Sequence, residues 1–297
     1  MKKETMIKGY GLVIFSAFLF GCMPLITRYI YDDGINRESV VLLRNLMALP
    51  VLGVLALWQN KSLRIPMKAM PAISGIALMG CCVTPLLLYG SYQHIATGAA
   101  TVFHFVYPAV VVLIGLVFFR KKCNKGTILA SLLCVGGICL FYNPNEPLDW
   151  TGCGLALASG VTYAVYVILL SVFRYKEISG FKLSFYISAV CTVVMLAVCL
   201  IGNRLTLPAT AKGWLLCAAL SVLIGVGAVV MFQKGTMLIG GERASVLSTV
   251  EPLTGVLLGM LVFHEEVTLG MGLGSIVVIV ACVLIPLFDA KGTKEKV

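Results

Sequence analysis

IGGERASVLSTVEPLTGVLLGMLVFHEE, residues 239–266, has the length and apolarity of a membrane-crossing helix, yet it carries Glu251 followed at once by Pro252. About 20 apolar residues cover the hydrocarbon of a bilayer. A charge and a helix breaker are both costly inside such a run. The stretch has a copy. Shifted by 144 residues without gaps, it lies over IATGAATVFHFVYPAVVVLIGLVFFRKK, residues 95–122. Pro108 falls on Pro252, Gly115 on Gly259, Phe119 on Phe263, His104 on Ser248 and Tyr107 on Glu251. The beginnings of the two halves also match, KGYGL at 8–12 over TGCGL at 151–155.

The rest of the chain has the same character. Of its 297 residues, 59% are hydrophobic and 12% charged. Soluble domains average about 45–50% apolar and about 25% charged, so there is too little polar surface here to wrap a water-soluble globule. Ten apolar stretches are predicted to span: 9–29, 38–58, 69–91, 99–119, 127–142, 151–171, 183–202, 213–233, 244–263 and 270–288. The expected fold is an all-α integral membrane protein of ten transmembrane helices, with a first five-helix unit over 1–142 and a second over 143–297. The first apolar run is too long for a cleavable signal peptide and leads into a second span.

Charge gives the orientation. With the N-terminus in the cytoplasm, 18 of the 23 Lys and Arg fall on the inner side, among them Arg120, Lys121 and Lys122. The outer side keeps Arg28, Arg37, Arg204 and Lys212, and Arg44 falls within the second span. The positive-inside rule then places both termini in the cytoplasm, across a cytoplasmic (inner) membrane. Five spans per half is an odd number, so the second copy inserts upside down. The charges agree: Arg120-Lys121-Lys122 ends a span inside, and its mate His264-Glu265-Glu266 ends one outside. Inverted repeats are typical of carriers, whose halves rock about a central site. The net charge of +10 therefore reads as a topology signal toward anionic lipid, and no nucleic-acid partner is expected.

In these features the sequence resembles the EamA family of the drug/metabolite transporter superfamily. The resemblance rests on the five-plus-five plan and on LLRNLMALP at 42–50. It rests equally on ERASVLSTVEPLTGVLLGMLVFHEEVTLGMGLGSIVVIVACVL at 242–284 and its fainter copy GAATVFHFVYPAVVVLIGLVFF at 98–119. It covers nearly the whole chain. What it implies is a secondary carrier, often an exporter of amino acids and related metabolites. Its central cavity would be lined by both halves, and helices four and nine would cross near the midplane. No ATP-binding motif GxxxxGK[ST] occurs in the sequence.

The candidate site follows from the residues. Glu251 lies about 12 Å into its span at 1.5 Å per residue, where a charge costs about 2.5 kcal/mol or more. Water, a partner cation or protonation lowers that cost. Ser245, Ser248, Glu251 and Gly255 form one small, polar stripe at helical spacing. His104 and Tyr107 lie on the matching stripe of the copy. Pro108 and Pro252 each remove a backbone donor and bend their helices, freeing the carbonyls of residues 104 and 248 for water or substrate. The two stripes are expected to face one wet site. Arg44 suits a substrate carboxylate through its planar fork; alternatively it pairs with Glu251 or Glu38, or snorkels outward. Tyr107, Tyr163 and Tyr166 are candidates for stacking on substrate or caging an ammonium. Tyr89 is divided between that role and lipid-interface anchoring, which also suits Tyr92 and Trp150.

No cofactor is expected, and no metal, since His104 has no second ligand at metal spacing. Eleven cysteines, ten of them inside apolar runs and none in a CxxC pair, read as small buried hydrophobes. Gly11, Gly154, Gly225, Gly227, Gly255 and Gly259 read as points of close helix crossing. The expected function is alternating-access transport of a small polar molecule, foremost amino-acid or amino-acid-derivative export. Uptake of a quaternary ammonium or other amine is the alternative. Glu251 or His104 also admits proton coupling. Two other classes compete. An intramembrane enzyme would use Ser248 and His104, though the sequence has no GxSxG or HExxH. A membrane sensor would move no solute. The partners expected are a small-molecule substrate and the bilayer, for a monomer or homodimer.

Overall fold

The computed structural model describes residues 3–60, 62–95, 97–118, 125–140, 149–173, 175, 177–263 and 268–294. The Arg120–Lys122 and His264–Glu266 mates, and Cys123, lie outside them. The fold is all-helical, with 85% helix and no strand among the described residues. In the first half, α1 (Lys3–Gly21), α2 (Met23–Asp32), α3 (Arg37–Asn60), α4 (Met70–Ile76), α5 (Thr84–Ser91), α6 (Thr97–His104), α7 (Tyr107–Val117) and α8 (Lys125–Cys139) follow in order. In the second come α9 (Trp150–Ser171), α10 (Gly180–Ile201), α11 (Ala211–Leu220), α12 (Val229–Ile239), α13 (Gly241–Leu247), α14 (Val250–Phe263) and α15 (Leu269–Lys294).

Several of these join end to end. Eight segments of the described chain are long and apolar enough to cross a membrane, and Gly126–Cys139 and Leu269–Leu284 are shorter apolar helices. This is a multi-pass membrane protein. Its surface agrees: Phe15, Trp58, Leu113, Phe118, Leu132, Val193 and Ile201 are all more than half exposed, a display of apolar side chains that suits lipid and not water.

Two spans are continuous only through π-helical turns, Ala77–Val83 between α4 and α5 and Ser221–Ala228 between α11 and α12. These lie at the same 144-residue offset as the sequence copy. Two other spans are broken at matching places: α6 stops at His104 and α7 starts at Tyr107, while α13 stops at Leu247 and α14 starts at Val250. Each proline falls in the first turn of the new helix, where a missing N–H and a fixed φ are tolerated. A kink was expected at the prolines, and the chain makes it in the turn just before them. The carbonyl expected to be free at residue 248 accepts the Glu251 N–H at 3.0 Å. It is therefore satisfied within the chain.

Packing is organised in long pairs. α3 lies along α10, α8 along α15, α1 along α12 and α5 along α9. α3 and α10 run antiparallel and are tied at both ends. At one end Glu38 accepts from Arg37 Nε at 3.0 Å and Arg204 Nη1 at 3.1 Å, and the Asn36 N–H donates to Thr206 Oγ1 at 2.9 Å. At the other, Tyr186 Oη donates to the Leu63 carbonyl at 2.9 Å and Lys182 Nζ to that of Arg64 at 3.2 Å. Of the glycines expected at crossings, Gly225 and Gly227 are at close contacts, whereas a Cβ added at Gly11, Gly154 or Gly255 would meet no other helix within 4 Å among the described residues. The side-chain surroundings of Gly259 lie outside the description. Tighter approaches occur at Gly21 and Gly160, where an added Cβ would meet the Glu251 carbonyl oxygen at 2.6 Å and the His104 carbonyl oxygen at 2.5 Å. Ala there would push two backbones apart.

Outside the spans, Asp33 closes the loop after α2 onto the start of α11. Its carboxylate accepts from Thr210 Oγ1 at 2.7 Å and from the backbone N–H of Ala209 and Thr210 at 2.9 and 3.2 Å. These bonds, led by the Thr210 hydroxyl, hold its pKa below the usual value. A depressed carboxylate pKa stabilises the fold above the unfolded-chain value, about 3.9, and loses that contribution as pH falls through the folded value. Asp33→Asn is therefore expected to lower the unfolding temperature at neutral pH. The gap to wild type should narrow below about pH 4, as thermal unfolding in detergent at stepped pH would show.

Candidate functional site

The two broken spans meet. Tyr107, the first residue of α7, places its hydroxyl 2.5 Å from Ser248 Oγ, in the break between α13 and α14. Ser248 already donates to its own helix, to the Ala244 and Ser245 carbonyls at 2.9 and 3.0 Å. Tyr107 is thus the donor to it. Both residues are 1% exposed. Tyr107→Phe removes the donor and leaves no buried group unsatisfied, because Ser248 keeps its helical acceptors. The expected loss is about 0.5–1.5 kcal/mol, read as a small drop in unfolding temperature.

His104 ends α6 and is 6% exposed. Its Nδ1 lies 2.8 Å from Ser159 Oγ of α9, and that hydroxyl donates to the Ala156 carbonyl at 2.6 Å. With its proton used, Ser159 accepts from the imidazole, which fixes the Nδ1–H tautomer. His104 and Ser248, the pair a hydrolytic enzyme would need, are each bonded elsewhere.

The tyrosines gather around Tyr163. Its ring centroid is 4.8 Å from that of Tyr107, edge to face, 5.3 Å from Tyr166 and 5.4 Å from His104. Phe232 of α12 completes the cluster, stacked at 5.9 Å on Tyr163 and 6.1 Å on Tyr166. Phe20 of α1 meets the same ring at 6.5 Å. Rings from α1, α7, α9 and α12 thus share one centre. The sequence reading missed Phe232 and Ser159. Nothing in an apolar run distinguishes a central phenylalanine from a lipid-facing one, although Phe20 and Tyr163, which superpose at the 143-residue offset of KGYGL over TGCGL, both lie against Phe232.

Glu251 sits at the middle of the 22-residue apolar segment Gly241–Val262. It is half-buried. Among the described residues no donor or cation lies within bonding distance of its carboxylate, so the proposed tie to Arg44 is not made. Tyr89, Tyr92, Tyr107 and Tyr163 lie within electrostatic range of it. Arg44 is 6% exposed, so it does not snorkel, and Glu38 is engaged with Arg37 and Arg204. The polar contact of its guanidinium is Nη1 to Met23 Sδ at 3.9 Å, and Tyr89 Oη donates to the same sulfur at 3.3 Å. Tyr89 is 2% exposed, at odds with an interface anchor, whereas Trp150 is 87% exposed at the start of α9. No group of three or more His, Cys, Asp or Glu able to hold a metal occurs among the described residues.

Comparison with known proteins fits this arrangement. The EamA-like transporter family matches residues 7–143 and again 150–287. The chain belongs to that family, within the drug/metabolite transporter superfamily. An uncharacterized transporter of Archaeoglobus fulgidus is 26% identical over 206 residues, covering 68% of this chain and 73% of that protein. The uncharacterized inner membrane transporter YicL of Salmonella typhimurium is 24% identical, covering 94% and 95%. The pseudopaline exporter CntI of Pseudomonas aeruginosa is 21% identical, covering 95% and 97%. A solved crystal structure superposes with a TM-score of 0.72 at 16% identity, covering 97% of this chain and 99% of its own, a likeness of fold.

Proposed function

We propose that the protein is a secondary carrier that moves a small polar metabolite across the cytoplasmic membrane by alternating access, foremost as an exporter of an amino acid or amino-acid derivative. The observation that carries this reading is Glu251. It is a carboxylate without a partner among the described residues, beside a helix break in mid-span and within electrostatic range of tyrosines from both halves. A charge held there at a cost, without a structural tie, suits a ligand site.

Ten spans, as two inverted repeats with both termini cytoplasmic, is the architecture we infer. The two shorter apolar helices would complete the ten. Supporting it, the family matches twice, and helices related by the repeat offset run antiparallel. In α3 and α10, Gly53 meets Phe185. In α8 and α15, Gly126 meets Phe288 while Gly137 meets Val277 and Val278. Reciprocal contacts support it too: α1 packs on α14 as α9 packs on α6 and α7, and α3 meets the second π segment as α10 meets the first. Such exchange is what a twofold axis in the membrane plane requires. One relative is named as a pseudopaline exporter, which supports export as the direction.

The test is counterflow into liposomes preloaded with each of the common amino acids. Saturable exchange of one of them is the expected result; exchange of none would discard amino-acid transport. Tyrosines around an acid also suit a quaternary ammonium, and counterflow of choline or a tetraalkylammonium alone would favour that second reading. An acid at this depth further allows proton coupling, seen as flux driven by an imposed pH gradient.

A further inference from the structure

Arg44 is the group in the molecule whose surroundings explain it least. A buried guanidinium without a counter-charge is expensive. Here it is 94% buried, since 6% remains exposed, and no carboxylate among the described residues lies within ion-pair distance. Its neighbours are soft and neutral: Met23 Sδ, the phenol of Tyr89, and the thiols of Cys81, Cys82 and Cys191. The face of α2 that brings Met23 to it also carries Thr27 and Tyr31 at four-residue spacing, and the hydroxyls of Thr27 and Tyr31 are buried without a hydrogen bond among the described residues. Glu251, of opposite sign, is likewise without a partner among the described residues. Tyr89 shares Met23 Sδ with Arg44, and Gly21, two residues before Met23, packs on the Glu251 backbone, where an added Cβ would meet its carbonyl oxygen at 2.6 Å.

We propose that Arg44 and Glu251 hold opposite ends of one dipolar substrate, the guanidinium taking its carboxylate and the Glu251 carboxylate its ammonium, with Tyr89 against the atoms between. This rests on the carrier reading above and assigns each end of the ligand to a residue. One end is held by α3, in the first half, and the other by α14, in the second. A ligand with both charges supplies both missing partners at once. A ligand with one charge leaves the other group buried and unpaired. Charge-assisted hydrogen bonds are the strong ones, and a planar fork favours carboxylate.

The experiment is a thermal-shift titration of the purified protein with each common amino acid, its amide and its N-acetyl form, followed by liposome counterflow of those that bind. The free amino acid is expected to bind about ten- to a hundredfold more tightly than either blocked form. Arg44→Gln should accept the amide as well as the acid, and Glu251→Gln the N-acetyl form as well as the amine. Arg44→Lys, which keeps the charge without the fork, should retain part of the preference. Equal binding of blocked and free forms by wild type would overturn the assignment, and that comparison needs no variant to fold. A preference that survives Arg44→Gln would also overturn it. If no amino acid binds while a tetraalkylammonium exchanges, the dipolar assignment fails and the carrier reading stands; if nothing exchanges, both fall.

Discussion

Glu251→Gln is expected to reduce transport about ten- to a hundredfold while leaving the protein as stable as wild type, or slightly more so. The two measurements move apart because the residue does one thing for the fold and another for the ligand. For the fold, a carboxylate in mid-span costs about 2.5 kcal/mol or more when charged, and nothing among the described residues repays it. Glutamine keeps the shape and removes that cost. For the ligand, a lost charge-assisted hydrogen bond is worth about 1.5–3 kcal/mol of binding, and the loss deepens if the same group carries a proton through the cycle. Groups that lower stability and support activity are a familiar exchange at binding sites. The checks are initial counterflow rate in liposomes and unfolding temperature in detergent. Were flux lost together with a fall of many degrees in that temperature, Glu251 would be a structural tie after all.

The sequence carried the fold further than the site. Apolar length located eight spans among the described residues, because a bilayer imposes one dimension on every helix. The copy at offset 144 located the paired breaks, because Pro108 and Pro252 each suit the first turn of a new helix, where the missing N–H costs nothing. Tyr107 and Ser248, read as lying on matching stripes, are bonded to each other. Partners were another matter. A glutamate and an arginine each set in an apolar run look like an ion pair, yet no such pair occurs among the described residues, and the Arg44 guanidinium meets Met23 Sδ instead. The π turns left no trace in composition, since one residue more per turn changes a ladder and not a pattern. Glycine was legible only as abundance. Which glycines touch backbone depends on where helices cross, and Gly154 and Gly160, both in α9, differ completely in what surrounds them.

That contrast yields the other large effect, Gly160→Val. A Cβ at residue 160 would stand 2.5 Å from the His104 carbonyl oxygen and 3.1 Å from Val106 Cγ1. The first of these is backbone, at the break where α6 ends, so no side-chain rotation relieves it. α9 must move away from α6 and α7. In doing so it draws Ser159 from His104 Nδ1, a buried bond of 2.8 Å, and shifts Tyr163 from its 4.8 Å contact with Tyr107. Overpacking alone costs about 1–3 kcal/mol, and an orphaned buried imidazole N–H adds about 1–3. We expect a loss of about 3 kcal/mol or more, seen as a large fall in unfolding temperature together with loss of flux. Gly154→Ala is the matched control in the same helix. With nothing within 4 Å and a helical backbone, it should gain stability, by up to about 1 kcal/mol from propensity. If the two substitutions behaved alike, the close approach of α9 to the His104 break would not be the contact that holds the aromatic centre together.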